Sequence, residues 1–233
     1  MTLILSNKYI KFVIPLFLGV ITSFSLPPYN YLILNFISFP FLLFFFIQHY
    51  KESKWTSFKI GWIFGFGYFI SNIYWITNSL TFDQTFKPLI PIALIIIPLF
   101  LGIFYGTATL ITSFFRLEKN FSTIIIFSIV FSIIEYIRSF IIGGFPWNII
   151  AYSWTNYINS LQIISFIGTY ALNLLSITLF LLPIVILYEK NLKIKFLTIL
   201  LLLFSLIANY LFGSLVLKEN NKKANNLEFT IIN

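Results

Sequence analysis

Apolar residues run in long blocks along this chain, broken by short polar stretches. Blocks at about 9–24, 31–47, 58–80, 88–115, 121–142, 162–188 and 196–216 are each long enough to be read as a membrane-crossing helix, which needs roughly 20 apolar residues. The breaks carry turn chemistry. Leu26-Pro27-Pro28-Tyr29-Asn30 sets two prolines side by side, which removes two backbone donors and fixes φ. Residues 48–54 and 116–120 are short and polar. Gly143-Gly144-Phe145-Pro146-Trp147-Asn148 joins permissive glycines to a rigid proline. The pattern predicts an all-α integral membrane protein, a polytopic bundle of about seven transmembrane helices over residues 1–217. Residues 218–233 read as a polar linker and then a β-like run, Leu227 to Asn233. A lone strand is not stable, so the run is expected to be the truncated first strand of a second domain.

Composition narrows the class. Of 233 residues, 59% are hydrophobic and only 9% charged, against about a quarter charged in soluble domains. Mean hydropathy is +0.93. A soluble enzyme, a nucleic-acid-binding module and a disordered linker are excluded as readings. The formal charge of +8 sits in the breaks, where it sets orientation. Lys8, Lys11, Lys51, Lys54, Lys59, Arg116, Lys119, Lys190, Lys193 and Lys195 fall on one side, ten of the fifteen basic residues. The N-terminus is therefore expected in the cytoplasm and the C-terminal tail outside it. The first block lacks a small-x-small cleavage pattern and reads as a retained span.

There is no cysteine, so no disulfide, thiolate metal site or cysteine nucleophile belongs to this chain. The single histidine, His49, lies beside lysines and reads as a solvated loop residue. No metal, no cofactor and no nucleic-acid partner is expected.

Glu135 and Arg138 are three residues apart inside an apolar block, so they share a helix face. A charge at mid-bilayer costs about 2.5–3.5 kcal/mol on insertion scales, which demands a partner. They form either an ion pair locking the helix to a neighbour or the polar wall of a lipid site. Phe145, Pro146 and Trp147 follow at the outer mouth of the same helix, either as an aromatic-belt anchor or as the entrance used by an acyl chain. Tyr74 and Trp75 lie at the outer end of another span. Gly61/Gly65 and Gly102/Gly106 have the spacing of close helix contacts. The unusual residues gather on the outer side, which points to a site opening to the outer leaflet.

Taken in order, Gly61-Trp62-x-x-Gly65-Phe66-Gly67-Tyr68, Tyr74-Trp75-Ile76, Glu135-Tyr136-x-Arg138, Gly144-Phe145-Pro146-Trp147 and Tyr152-Ser153 resemble the membrane half of the bacterial apolipoprotein N-acyltransferases. Phe229-Thr230-Ile231-Ile232-Asn233 is similar to the first strand of that family's nitrilase-like domain. The resemblance implies a multi-pass protein of the bacterial inner membrane, acting in lipoprotein biosynthesis. It implies acyl transfer from phospholipid, through a cysteine thioester, to the N-terminal lipidated cysteine of an apolipoprotein. The implied Glu-Lys-Cys triad belongs to the nitrilase-like domain, and none of it maps onto this chain. No residue here is expected to be catalytic, and the chain alone is expected to be inactive. Tyr74, Trp75, Glu135, Arg138, Phe145, Pro146 and Trp147 are assigned a supporting role in an outer-leaflet lipid cavity. The implied partners are phospholipid, apolipoprotein and a separate nitrilase-like half. Two other readings stand beside this one: a catalytically dead scaffold or lipid-binding remnant, and a small transporter.

Overall fold

A computed structural model describes residues 10–118, 120–141 and 146–224. These are helical, with no strand among them. The main elements are α1 (Ile10–Ser23), α2 (Asn35–His49), α3 (Lys54–Asn72), α4 (Ile90–Thr112), α5 (Phe121–Phe140), α6 (Thr169–Leu181), α7 (Pro183–Tyr188) and α8 (Leu192–Ala224). Short 3-10 segments occupy Leu32–Leu34, Tyr74–Thr81, Gln84–Leu89 and Ile150–Trp154. Caps follow local rules. Ser53 accepts the Thr56 N–H at the start of α3, and Asn120 accepts the Thr123 N–H at the start of α5.

Six helices close into a ring, α1–α3–α4–α5–α6–α2, each packed against the next. Five of them send one ring each to the centre: Phe39, Phe64, Tyr105, Phe131 and Phe180. Centroids are 6.0 Å apart for Phe39–Phe64, 5.9 Å for Phe64–Tyr105, 4.5 Å for Tyr105–Phe131 and 6.1 Å for Phe39–Phe180. Lipid tails are as apolar as these side chains, so close packing and interhelical hydrogen bonds hold such a bundle rather than escape from water. Glycines make the close packing possible. A Cβ on Gly61 would lie 2.3 Å from the Tyr105 carbonyl oxygen, and one on Gly65 would lie 2.9 Å from the Gly102 Cα. On the other side of α3, a Cβ on Gly67 would meet the Leu16 carbonyl oxygen at 2.3 Å.

Five described helical segments are long and apolar enough to cross a membrane: Leu32–His49, Gln84–Thr112, Phe121–Phe140, Thr169–Tyr188 and Leu192–Glu219. The protein is an all-α, polytopic membrane protein. α3 reaches 19 residues but carries Lys54, Lys59, three glycines and Asn72. Wedged between α1 and α4, it meets protein on two sides and needs less apolar surface.

Several boundaries differ from those expected. The block at 58–80 is α-helical only to Asn72. Beyond it, Thr77, Ser79 and Thr81 hydroxyls each donate to the carbonyl three residues back. Such back-bonding competes with α-helical pairing and accompanies the 3-10 segment Tyr74–Thr81. The block at 162–188 is broken at Gly168, whose φ is +79°, a conformation that favours glycine. It is broken again at Pro183, which starts α7. The expected linker at 218–226 is helical as far as Ala224. Lys, Glu and Ala are good helix formers, and extending an existing helix is easier than nucleating one. The expected strand, Leu227 to Asn233, lies outside the described residues. His49 is not a solvated loop residue. It ends α2, is buried, packs against the Phe45 ring and pairs with Glu52 at 2.6 Å.

Candidate functional site: a buried polar knot under an aromatic rim

Glu135 and Arg138 occupy the last two turns of α5, and both are enclosed, at 0% and 1% exposure. Their closest charged atoms are 3.8 Å apart, so the ion pair is loose. The tighter contacts come from elsewhere. Tyr105 of α4 donates to Glu135 Oε1 at 2.7 Å. Asn173 of α6 donates to Glu135 Oε2 at 2.6 Å. The Ile150 backbone N–H also bonds this carboxylate. Three elements thus supply donors to one buried anion, meeting the demand that a charge in hydrocarbon creates.

Arg138 points the other way along the knot. Its Nη1 donates to the Trp147 carbonyl at 2.9 Å and its Nη2 to the Asn148 carbonyl at 3.4 Å. Its guanidinium stands 5.3 Å from the Phe69 ring centroid, within reach of a cation–π contact. The Asn148 carbonyl also accepts from Tyr68 Oη at 3.0 Å. The Asn148 amide donates to Asn72 Oδ1, and Asn72 donates to the Ser23 carbonyl at 3.3 Å. Asn148 has φ +58°, a region that Asn enters more readily than most residues. Asn173 Oδ1 accepts the Ala151 N–H at 2.9 Å. Trp154 donates to Ser176 at 2.8 Å. The segment 146–154 is pinned from beneath by α3, α5 and α6, with Asn72 of α3 held in turn by α1.

Above the knot the surface is aromatic. Trp147 is 52% exposed and meets Trp75 edge-to-face at 6.2 Å. Tyr74 is exposed beside Trp75 and is not part of the polar knot. Pro146 is half-buried at the start of the pinned segment. Phe145 lies outside the described residues. The structure therefore joins Glu135, Arg138, Trp147 and Trp75 into one region, with Tyr74 at its rim.

Sequence reasoning missed Tyr68, Asn72, Tyr105, Asn148 and Asn173. A signal was present for Asn173, a lone amide in the apolar block Thr169–Leu181, since intramembrane polar side chains face protein partners. Tyr105 lies between Gly102 and Gly106 and reads from sequence as packing alone.

Residues 18–182 match the family model for the apolipoprotein N-acyltransferase N-terminal domain. The chain belongs to this family. It is 30% identical to the apolipoprotein N-acyltransferase of Rhizobium rhizogenes over 71% of this chain and 32% of that protein. It is 29% identical to that of Brucella melitensis over 78% of this chain and 35% of that protein. Against the enzyme of Allorhizobium ampelinum it is 31% identical over 71% of this chain and 33% of that protein. The chain spans about a third of the length of these relatives. The matched N-acyltransferase segment contains every residue of the polar knot and of its aromatic rim.

Proposed function

We propose that this chain is the membrane domain of a bacterial apolipoprotein N-acyltransferase, seated in the inner membrane with its N-terminus in the cytoplasm. In this reading it holds phospholipid, the acyl donor, and the lipidated N-terminal cysteine of an apolipoprotein, the acceptor. The acyl transfer belongs to a nitrilase-like domain, because the thioester needs a cysteine and these 233 residues contain none. The observation that carries the reading is the clamp of Arg138 on the Trp147 and Asn148 carbonyls. It fixes an exposed Trp75–Trp147 pair over a buried, charged knot within the family-matched segment. Exposed tryptophans suit the headgroup level of a bilayer, where an amphipathic ring is stable. Tyr74, Trp75, Phe145, Pro146 and Trp147 then shape the outer-leaflet cavity, while Glu135 and Arg138 hold that shape and do no chemistry.

The test joins this chain to the part of the Rhizobium rhizogenes relative that lies beyond the matched segment, in cells depleted of their own enzyme. N-acylation of a reporter lipoprotein is read by mass spectrometry of its N-terminal peptide. The fusion is expected to N-acylate the reporter, and Arg138→Ala is expected to reduce that acylation. A stably inserted fusion that never acylates counts against the proposal, as does an Arg138→Ala fusion with full activity and unchanged stability.

A further inference from the structure

The longest helix is the least packed. Only 6% of the most apolar stretch of α8 is buried. It touches the rest of the protein chiefly at two places, the helical turn Ile158–Leu161 and α7. At the first, Gly213 sits so close to Asn159 that a Cβ would overlap its carbonyl oxygen. Between the two contacts α8 packs loosely, touching the core through the partly buried Leu206. One face of it, Ile194, Leu197, Thr198, Leu201, Ser205, Ala208 and Phe212, lines two cavities in succession. The cavity at the α7 end encloses about 370 Å³, walled by Phe121, Leu182, Val185 and Tyr188 opposite α8. Three lysines, Lys190, Lys193 and Lys195, are chain neighbours of its lining residues Glu189 and Ile194. Lys190 and Lys193 are exposed and Lys195 partly so.

We propose that this cavity is a binding site for an anionic phospholipid of the leaflet at the lysine-rich end, one acyl chain in the cavity and its phosphate at the lysines. The proposal does not depend on the acyltransferase reading, since α8 and the lysines lie beyond the family-matched residues 18–182. Size selects the occupant. A helix is about 10 Å across, wide for a cavity of about 370 Å³. A single acyl chain is thinner and fits. Charge selects the headgroup. Among the described residues, the ion pairs of this protein use Lys11, His49, Arg116 and Arg138, and none of these three lysines has a carboxylate partner. The nearest acid in sequence, Glu189, lines the cavity, but its Oε1 accepts the Lys190 and Asn191 N–H groups at 2.8 and 2.9 Å. The segment 189–195 therefore keeps a positive balance. Basic pockets between helices at the cytoplasmic side suit acidic headgroups.

The test reconstitutes the full chain in vesicles of equal parts phosphatidylglycerol and phosphatidylcholine, then measures retained lipid by native mass spectrometry. Wild-type protein is expected to retain phosphatidylglycerol in excess. Changing Lys190, Lys193 and Lys195 to Gln is expected to reduce the excess by about fivefold for each lysine removed. Leu197→Trp, which fills the cavity, is expected to release both lipids while helix content by circular dichroism stays unchanged. Added salt is expected to lower the wild-type excess, which decides the matter even if a variant fails to fold. Equal retention of the two lipids by the wild type overturns the proposal. So does an excess insensitive to salt, or one that survives both variants.

Discussion

Replacing Arg138 by methionine removes a buried charge while keeping much of its length. At 3.8 Å from Glu135 and an effective dielectric of about 20, the lost attraction is about 4 kcal/mol. The Trp147 and Asn148 carbonyls lose donors at 2.9 and 3.4 Å. Against this, the variant no longer bears the desolvation cost of the guanidinium. Breaking a buried pair from one side costs about 3–5 kcal/mol in soluble proteins. Two facts place this case at the lower end. Glu135 keeps its bonds from Tyr105, Asn173 and the Ile150 N–H, and a chain unfolded in a membrane also finds polar partners. The expected loss is about 3 kcal/mol. Arg138→Lys keeps the charge but cannot fork onto two carbonyls, so it should fall between wild type and Arg138→Met. The control is Arg116→Met, since the Arg116 side chain is 90% exposed in its pair with Glu118 and such pairs contribute about 0–1 kcal/mol. Reversible unfolding in mixed dodecyl maltoside and dodecyl sulfate micelles, followed by circular dichroism, supplies the numbers. If Arg138→Met is no more destabilising than Arg116→Met, the account of the knot is wrong.

Other perturbations probe separate parts of the fold. Asn173→Leu leaves Glu135 Oε2 and the Ala151 N–H without their partner, so it should cost about 1–3 kcal/mol in the same unfolding assay. Tyr68→Phe should cost less, because Arg138 still reaches the Asn148 carbonyl. Gly61→Ala and Gly67→Ala each drive a Cβ to within 2.3 Å of a backbone oxygen and should lower stability by about 1–3 kcal/mol or more. Gly168→Ala meets open space at φ +79° and ψ 167°, so only its glycine-type backbone should penalise it, by about 1–3 kcal/mol; no loss at Gly61 and Gly67 would contradict the packing argument. With no native cysteine, Lys87→Cys and Lys51→Cys each create a unique label site. An impermeant maleimide should reach position 87 from outside intact cells and position 51 only after permeabilisation, and the reverse result would invert the topology.

Much of the helical content was legible because a backbone in hydrocarbon must bond to itself, so long apolar runs become helices. The Glu135/Arg138 pair was legible because an uncompensated charge in such a run demands a partner. The end of α3 at Asn72 was harder to read. Residues 74–81 are apolar enough to extend a span, and only the threonine and serine hydroxyls turning back on their carbonyls reveal the change. The break at Gly168 was equally quiet, since glycine is common inside membrane helices.

By itself the sequence determined that the chain is a membrane bundle, that α5 carries two charges on one face, and that glycines line its tightest contacts. These follow from local rules: block length, helical period and side-chain size. Only the tertiary structure decided which groups answer those charges. Tyr105 approaches from 30 residues away and Asn173 from 38, and the carbonyls that hold Arg138 belong to a turn beyond its own helix. The loose packing of α8 against the bundle belongs to the same level. In lipid an apolar helix gains little by touching another apolar helix, so hydrophobicity predicts that α8 exists but not where it stands.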